Sequence, residues 1–122
     1  MIVNNKGSDM KDEIEINGEI YVKKNTDEVG QYYIVRTYSA GVFAGYIKSR
    51  NGQEIVMTNA RRLWYWSGAS SLSQLAMEGV KHPDECKFPC EVDEVELLNA
   101  IEILKATEDC RKSISGVPVW KQ

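Results

Sequence analysis

The residues best suited to chemistry lie between positions 61 and 70, where arginine, tryptophan and serine follow one another closely. Arg61 and Arg62 carry guanidinium groups, which match phosphate oxygens with two parallel hydrogen bonds. Trp64 and Trp66 carry indole rings, on which a nucleobase stacks with about 1–3 kcal/mol. Ser67 opens a turn that leads into a predicted helix, whose first backbone N–H groups attract anions. These residue types together are typical of a nucleotide site.

The alternation of a β-strand divides this group between two faces. Arg62, Trp64 and Trp66 would share one face of a strand, and Arg61 would lie on the other. Unless a bulge intervenes, the two arginines serve different sites or different subunits. The same pattern also fits a purely structural role, in which the tryptophans belong to the core of a sheet and the arginines lie at its rim.

Other chemistry has weaker support in the sequence. The chain has a single histidine, His82, in a loop next to a proline, and no glycine-rich phosphate loop of a known type. His82, Cys86, Cys90 and Cys110 have a spacing that permits a tetrahedral zinc site, but burial of the thiols explains the cysteines equally well. We therefore expect no catalytic residues, no metal and no cofactor, and a protein that binds a small charged ligand.

The composition is that of one ordinary globular domain. The chain has 122 residues, of which 43% are hydrophobic and 27% charged, so a core can form without disulfides. We expect a flexible tail over residues 1–10 and a single ligand-binding domain over residues 11–122. Three cysteines and no signal-peptide pattern favour the cytoplasm, and no apolar run is long enough for a membrane span.

Charge is distributed unevenly along the chain. Residues 31–62 hold five basic side chains and one acidic one, whereas residues 91–109 hold seven acids and one lysine. The net charge of −3 disfavours binding to long nucleic acids, yet it is compatible with a compact basic site for one small anion. The two segments can also simply face each other or form solvated surfaces.

These residues must be positioned by a sheet that the sequence predicts in the first half of the chain. Runs rich in β-favouring residues are separated by turn residues, and Asn17-Gly18 and Asn51-Gly52 favour tight hairpin turns. We expect strands over residues 14–16, 20–22, 32–38, 42–48, 54–58 and 62–66. The fold class that follows is α+β, a small antiparallel meander with short C-terminal helices.

The second half of the chain carries helix signals. Ser70 or Ser71 can cap a short helix that contains Leu72 and ends at Gly79, and Thr107 can start a last helix that ends at Gly116. Residues 80–90 read as a loop. Residues 91–107 fit one helix and two short strands equally well, because their apolar residues satisfy both periods.

Two segments in combination resemble a family of small phage proteins. Residues 35–45 read VRTYSAGVFAG and residues 61–69 read RRLWYWSGA. In these motifs, and over roughly residues 32–115, the chain is similar to the anti-Thoeris sponge family. Such proteins sequester a cyclic ADP-ribose isomer made by a TIR-domain protein, so that a bacterial immune effector is not activated. Family members are homodimers or higher symmetric oligomers, and some hold cyclic di- or trinucleotides at separate sites.

The resemblance implies a non-enzymatic sponge that acts in the cytoplasm of the infected bacterial host. An arginine would bind the pyrophosphate and a tryptophan the adenine, with the turn after Trp66 supplying further donors. The expected ligand-binding residues are Arg36, Ser39, Arg61, Arg62, Trp64, Trp66, Ser67 and Gly68. The expected partner is a cyclic nucleotide messenger, with no long nucleic acid and no membrane. The alternative is a protein-binding inhibitor that acts through the acidic residues 91–109.

Overall fold

The computed structural model describes residues 30–121. The predicted tail over residues 1–10 and the predicted hairpin around Asn17-Gly18 lie outside the described residues. Within residues 30–121 the chain forms a small α+β fold of five strands and two short α-helices, which confirms the predicted fold class. The elements are β1 (Tyr32–Thr37), β2 (Val42–Asn51), β3 (Glu54–Arg62), α1 (Leu72–Glu78), β4 (Val92–Leu97), β5 (Ala100–Lys105) and α2 (Glu108–Ser115).

All five strands form one antiparallel sheet in the order β4-β3-β2-β1-β5. The edge strands β4 and β5 are joined by only Leu98 and Asn99. In a flat sheet the two edges would be about 19 Å apart, whereas three residue steps span at most about 11 Å. The sheet must therefore curl until its edges meet at one end. There, the Ala100 N–H donates to the carbonyl oxygen of Gln53 in the β2–β3 turn, at 3.0 Å.

The curled sheet separates two hydrophobic clusters. The inner cluster draws on all five strands and includes Val35, Phe43, Met57 and Leu97. The outer cluster lies between the other face of the sheet and the helices, with Phe88 and other residues of the β3–β4 connection in it. Because both faces of the sheet are covered, successive residues of β1 are buried in opposite clusters: Ile34 in the outer one and Val35 in the inner one.

A bulge near the end of β3 determines which residues face each cluster. Ala44 pairs with Arg61 and Tyr46 with Thr58, so Asn59 and Ala60 together oppose Gly45. Asn59 has φ 47°, in the left-handed region that asparagine tolerates better than most residues. The extra residue shifts the alternation by one position. As a result Ala60 joins the inner cluster, and Arg61 turns toward the outer side.

Both α-helices begin with the side-chain caps that the sequence predicts. Ser71 accepts a hydrogen bond from the Gln74 N–H at the start of α1, and Thr107 accepts one from the Cys110 N–H at the start of α2. Only α2 follows the last strand, because α1 lies between β3 and β4. No helix in the described part of the chain is long and apolar enough to cross a bilayer.

Residues 91–107, which the sequence leaves undecided, form the two edge strands. The acidic residues of the predicted face, residues 91–109, are consequently divided between Glu91, β4, β5 and the start of α2, and do not form one face. Two of them pair with basic residues of the neighbouring part of the sheet: Glu102 with Arg36 at 2.9 Å, and Glu94 with Lys48 at 3.1 Å.

Candidate functional site

A groove between the β1–β2 turn and the segment that follows β3 brings together four of the predicted ligand-binding residues: Ser39, Arg62, Trp64 and Trp66. Its volume is about 270 Å³. The remaining lining is small or apolar, and no acidic side chain contributes to it. The complete lining consists of Ser39, Ala40, Gly41, Val42, Arg62, Leu63, Trp64 and Trp66.

One wall of this groove is a turn stiffened by the buried side chain of Thr37. The Thr37 hydroxyl donates to the Gly41 carbonyl oxygen at 2.7 Å and accepts from the Ala40 N–H at 2.9 Å. The Thr37 N–H donates to the same carbonyl oxygen at 3.0 Å. Gly41 has φ 101°, a conformation that side chains rarely adopt, so the tightness of the turn depends on glycine here. The wall is therefore set before any ligand arrives.

The opposite wall is formed where the chain leaves the sheet. Leu63 is buried, and its N–H donates to the Val42 carbonyl oxygen at 2.8 Å. This bond holds the residue after β3 against the start of β2, and Val42 and Leu63 form the floor of the groove. The predicted strand over residues 62–66 is wrong, because β3 runs through the bulge and ends at Arg62. Trp64 then projects outward with 66% of its surface exposed, whereas Trp66 packs partly against the outer cluster. Trp64 is thus an indole that the core does not use.

Arg62 supplies the positive charge of the groove. Its guanidinium carbon lies 4.8 Å from the centroid of the Phe43 ring, and its side chain is otherwise exposed. This distance is that of a cation–π contact, which holds the guanidinium near the ring face. No described residue accepts a hydrogen bond or salt bridge from Arg62.

Arg61 has a different role from the one expected. Only 5% of the residue is exposed, and its guanidinium carbon lies 5.5 Å from the centroid of the Phe88 ring, which belongs to the outer cluster. Four of its N–H donors are satisfied by backbone carbonyl oxygens at 2.8–3.1 Å, those of Phe88, Pro89, Ile114 and Pro118. Burial lowers the pKa of Arg61 below its ordinary value. Arg61 therefore joins the C-terminal segment to the β3–β4 connection and does not face the groove.

Arg36 lies next to the groove but is already engaged. It pairs with Val42 across β1 and β2, so its side chain lies on the same face as the groove floor. Its Nε donates to the Glu102 carboxylate at 2.9 Å. A ligand could reach Arg36 only by competing with this exposed ion pair.

Ser67 and Gly68 do not line the groove. The Ser67 hydroxyl is 3.2 Å from His82 Nδ1 and donates to Glu85 at 3.0 Å, and the Ser67 N–H donates to the Cys86 sulfur. Ser67 lies between the histidine and the acid, whereas in a catalytic triad the histidine lies between the serine and the acid. At Gly68, with φ 94°, a Cβ would come within 2.4 Å of the backbone nitrogen of Lys81.

The predicted anion site at the start of α1 is also occupied by the protein itself. The Gln74 side chain accepts from both the Ser70 N–H and the Ser70 hydroxyl, at 2.9 and 2.7 Å. Nor do residues 30–121 contain a group of three or more histidine, cysteine, aspartate or glutamate side chains arranged to hold a metal. The four residues of the possible zinc pattern all fall in this range, so the structure gives that pattern no support.

Comparison with known proteins identifies the family. A family model described as a domain of unknown function, DUF6948, matches residues 30–114. The chain belongs to this family. The DUF6948 match begins just before β1 and ends within α2, so it includes both walls of the groove. Neither the curated proteins nor the solved structures include a significant match to this chain.

Sequence reasoning missed two contributors to the groove, Phe43 and Thr37. The Phe43 ring makes a cation–π contact with Arg62, and the Thr37 side chain forms two hydrogen bonds within the turn. Phe43 was hidden in a run of β-favouring residues, where an aromatic residue is expected for packing alone. Gly41, which follows Ser39 and Ala40, is the sequence signal for the turn between β1 and β2, and this turn forms one wall of the groove.

Proposed function

We propose that this DUF6948 domain binds a small anionic nucleotide in the groove and holds it without chemical change. The observation that carries the proposal is that one groove joins an exposed indole, Trp64, and an exposed guanidinium, Arg62, beside a hydrogen-bonded turn. Stacking on the indole suits a nucleobase, and the guanidinium suits a phosphate oxygen pair.

The lining residues support binding more than catalysis. Ser39 supplies a hydroxyl, but none of the eight lining residues carries a carboxylate, an imidazole or a thiol that could activate it or transfer protons. The lining also lacks negative charge that would repel a phosphate. These features fit capture and release of an intact ligand.

The ligand class that we propose is a cyclic ADP-ribose isomer, as the resemblance to anti-Thoeris sponges implies. Its adenine would stack on Trp64 and its pyrophosphate would contact Arg62. The groove supplies one guanidinium, so Arg36 is the nearest candidate for the second phosphate, at the cost of its pair with Glu102. The biological effect would be to withhold the messenger from its effector in the cytoplasm of an infected bacterium.

The size of the groove bears on the assembly that we propose. At about 270 Å³ it lies below the roughly 300–1,000 Å³ typical of sites that enclose a drug-sized ligand. Trp64, and Tyr38 at the β1–β2 turn, are 66% and 79% exposed. A second copy of the chain that covered these rings would complete the enclosure, in keeping with a homodimer or a higher symmetric oligomer.

The test is capture followed by heat release. The protein is incubated with a lysate that contains TIR-derived cyclic ADP-ribose isomers, washed, and denatured by heat, and the released compounds are analysed by mass spectrometry. We expect intact messenger in near-stoichiometric amount. Release of a cleaved product would instead identify an enzyme, and release of nothing would reject the proposal.

Three variants assign the capture to the groove. Trp64→Ala and Arg62→Ala should each lower the affinity at least about ten-fold, because each removes a contact worth 1.4 kcal/mol or more. Arg50→Ala is the matched control, since Arg50 is an exposed arginine at the far end of β2. Equal affinity of all three variants would exclude this groove as the site.

A further inference from the structure

A second pocket lies on the other side of Arg62 from the groove. It has a volume of about 220 Å³, and its walls are mainly apolar. Val92 pairs with Ala60, and Phe43 pairs with Arg62, so the pocket is formed where β2 begins, β3 ends and β4 begins. The complete lining consists of Phe43, Ala60, Arg62, Pro89, Cys90, Val92 and Val95.

The pocket lies at one end of the curled sheet. Phe43 and Ala60 belong to the inner cluster, and Val95 packs against it. Beyond the other end of β3 the Ala100 N–H donates to the Gln53 carbonyl oxygen, beside a cavity of about 600 Å³. The mouths of β-barrels are among the places where small-molecule sites preferentially form, because the interior offers apolar walls that the strands hold in place.

Charge in the pocket is confined to one side. Arg62 is the charged residue of the lining, and it is held over the Phe43 ring at the boundary between pocket and groove. Three acids, Glu91, Asp93 and Glu94, adjoin lining residues along the chain, but none is part of the lining. Glu91 accepts a hydrogen bond from the Asn59 amide at 3.2 Å. An apolar cavity with a guanidinium at its edge is complementary to an apolar body that ends in an anion.

We propose that this pocket is a second ligand site, which takes a small aromatic or branched aliphatic carboxylate. The apolar body of the ligand packs against Val92 and Val95, and its carboxylate accepts hydrogen bonds from Arg62. The volume of about 220 Å³ suits a single ring or a short branched chain. The proposal does not depend on the nucleotide function of the groove, although both sites use Arg62.

The experiment is a titration of isotope-labelled protein with benzoate, followed by two-dimensional NMR, with benzyl alcohol as the uncharged match. We expect saturable shifts of the amide signals of Ala60, Val92 and Val95. Binding of benzyl alcohol should be about ten-fold weaker or more, because a hydrogen bond to a charged group is worth about 1.5–3 kcal/mol. Shifts that do not saturate, or that lie elsewhere, would overturn the proposal.

Variants separate this pocket from the groove. Val92→Trp should fill the pocket and abolish the benzoate shifts, while Val92→Thr, which has nearly the same shape, should retain them. Val92 is 41% exposed, so the larger side chain is not forced into the core. Arg62→Met is an independent test in case Val92→Trp does not fold. This variant should bind benzoate no more tightly than benzyl alcohol. Trp64→Ala should leave benzoate binding unchanged, and a loss there would show that the ligand binds in the groove.

Discussion

Arg61 and Arg62 are adjacent in sequence and chemically identical, yet the structure separates their roles completely. Arg61 is buried and bonded to four backbone carbonyl oxygens, whereas Arg62 is exposed and, among residues 30–121, makes a cation–π contact with the Phe43 ring. A buried guanidinium without its acceptors would strongly destabilise the fold. Buried carbonyl oxygens that lose their donor would destabilise it as well. Stability should therefore depend on the first arginine and ligand binding on the second.

The comparison of Arg61→Met with Arg62→Met tests this division. Arg61→Met should lower the free energy of unfolding by about 3 kcal/mol, because several buried carbonyl oxygens lose their donor at once. Arg62→Met should cost about 1 kcal/mol or less, since it removes one exposed cation–π contact. Urea titrations followed by tryptophan fluorescence measure both values.

Ligand capture should show the opposite order. At a temperature where both variants are folded, Arg61→Met should retain the messenger and Arg62→Met should not. Equal losses of stability in the two variants, or loss of capture in Arg61→Met alone, would contradict the assignment.

At the level of elements, the bulge in β3 is what allows two consecutive arginines to be used differently. Asn59 occupies the left-handed region, and the Ala60 backbone passes so close to Gly45 that a Cβ there would lie 2.9 Å from the Ala60 Cα. Without the extra residue, β3 would continue the alternation of Ile55 and Met57, and Arg61 would point into the inner cluster. The bulge thus determines the position of the groove.

Substitutions at Asn59 should show this dependence. Asn59→Val should destabilise the fold by about 1–2 kcal/mol, because a β-branched residue is strained at positive φ. Asn59→Gly should be tolerated, since glycine adopts the same conformation without strain. Thermal unfolding and messenger capture measured together would test the idea, and it would fail if the valine variant matched the wild type in both.

The sequence predicted much of this architecture from local signals. The meander, the Asn51-Gly52 turn and the caps of both helices follow from residue types within a few positions of one another. The segment 91–107 was undecidable because its two strands are specified by pairing with β3 and β1, which lie far away in the sequence, and local periodicity does not contain that information. The end of β3 was misplaced because a bulge at Asn59 interrupts the alternation on which the prediction relied.

The site was predictable in part for the same reason. Arg62, Trp64 and Trp66 lie close in sequence and the structure keeps them together, with Ser39 joining them across β2. The burial of Arg61 was not predictable, because its four acceptors lie 27–57 residues further along the chain. Ser67 is likewise engaged by His82 and Glu85, which belong to a loop that carries no strong pattern.

At the scale of the whole molecule, two buried titratable groups, the Cys110 thiol and the Tyr32 hydroxyl, link the stability of the fold to pH. Burial raises the pKa of the Cys110 thiol from 9.0 to about 11, and burial also raises the pKa of Tyr32. In each case the folded state favours the protonated group. Between the unfolded and folded pKa values the unfolded chain binds fewer protons, so stability falls as pH rises.

The contribution of Cys110 to the free energy of unfolding should therefore be constant below about pH 9 and should decrease as the pH approaches 11. Urea titrations at a series of pH values measure this decrease. Cys110→Ala should flatten it, because the variant loses the thiol and also the part of the raised pKa of Tyr32 that is due to Cys110. Parallel curves for the two proteins would show that the thiol is not responsible.

The pairing of β1 with β5 has a consequence for how the chain is made. Tyr33 pairs with Lys105, 72 residues later. At a synthesis rate of about 5–20 residues per second, the ribosome takes roughly 4–14 s to deliver that partner. For those seconds the nascent meander of β1, β2 and β3 has an unpaired edge, and its apolar faces lack the residues that cover them. The sheet is therefore completed only when β5 has emerged, and until then the free edge of β1 can pair with another chain.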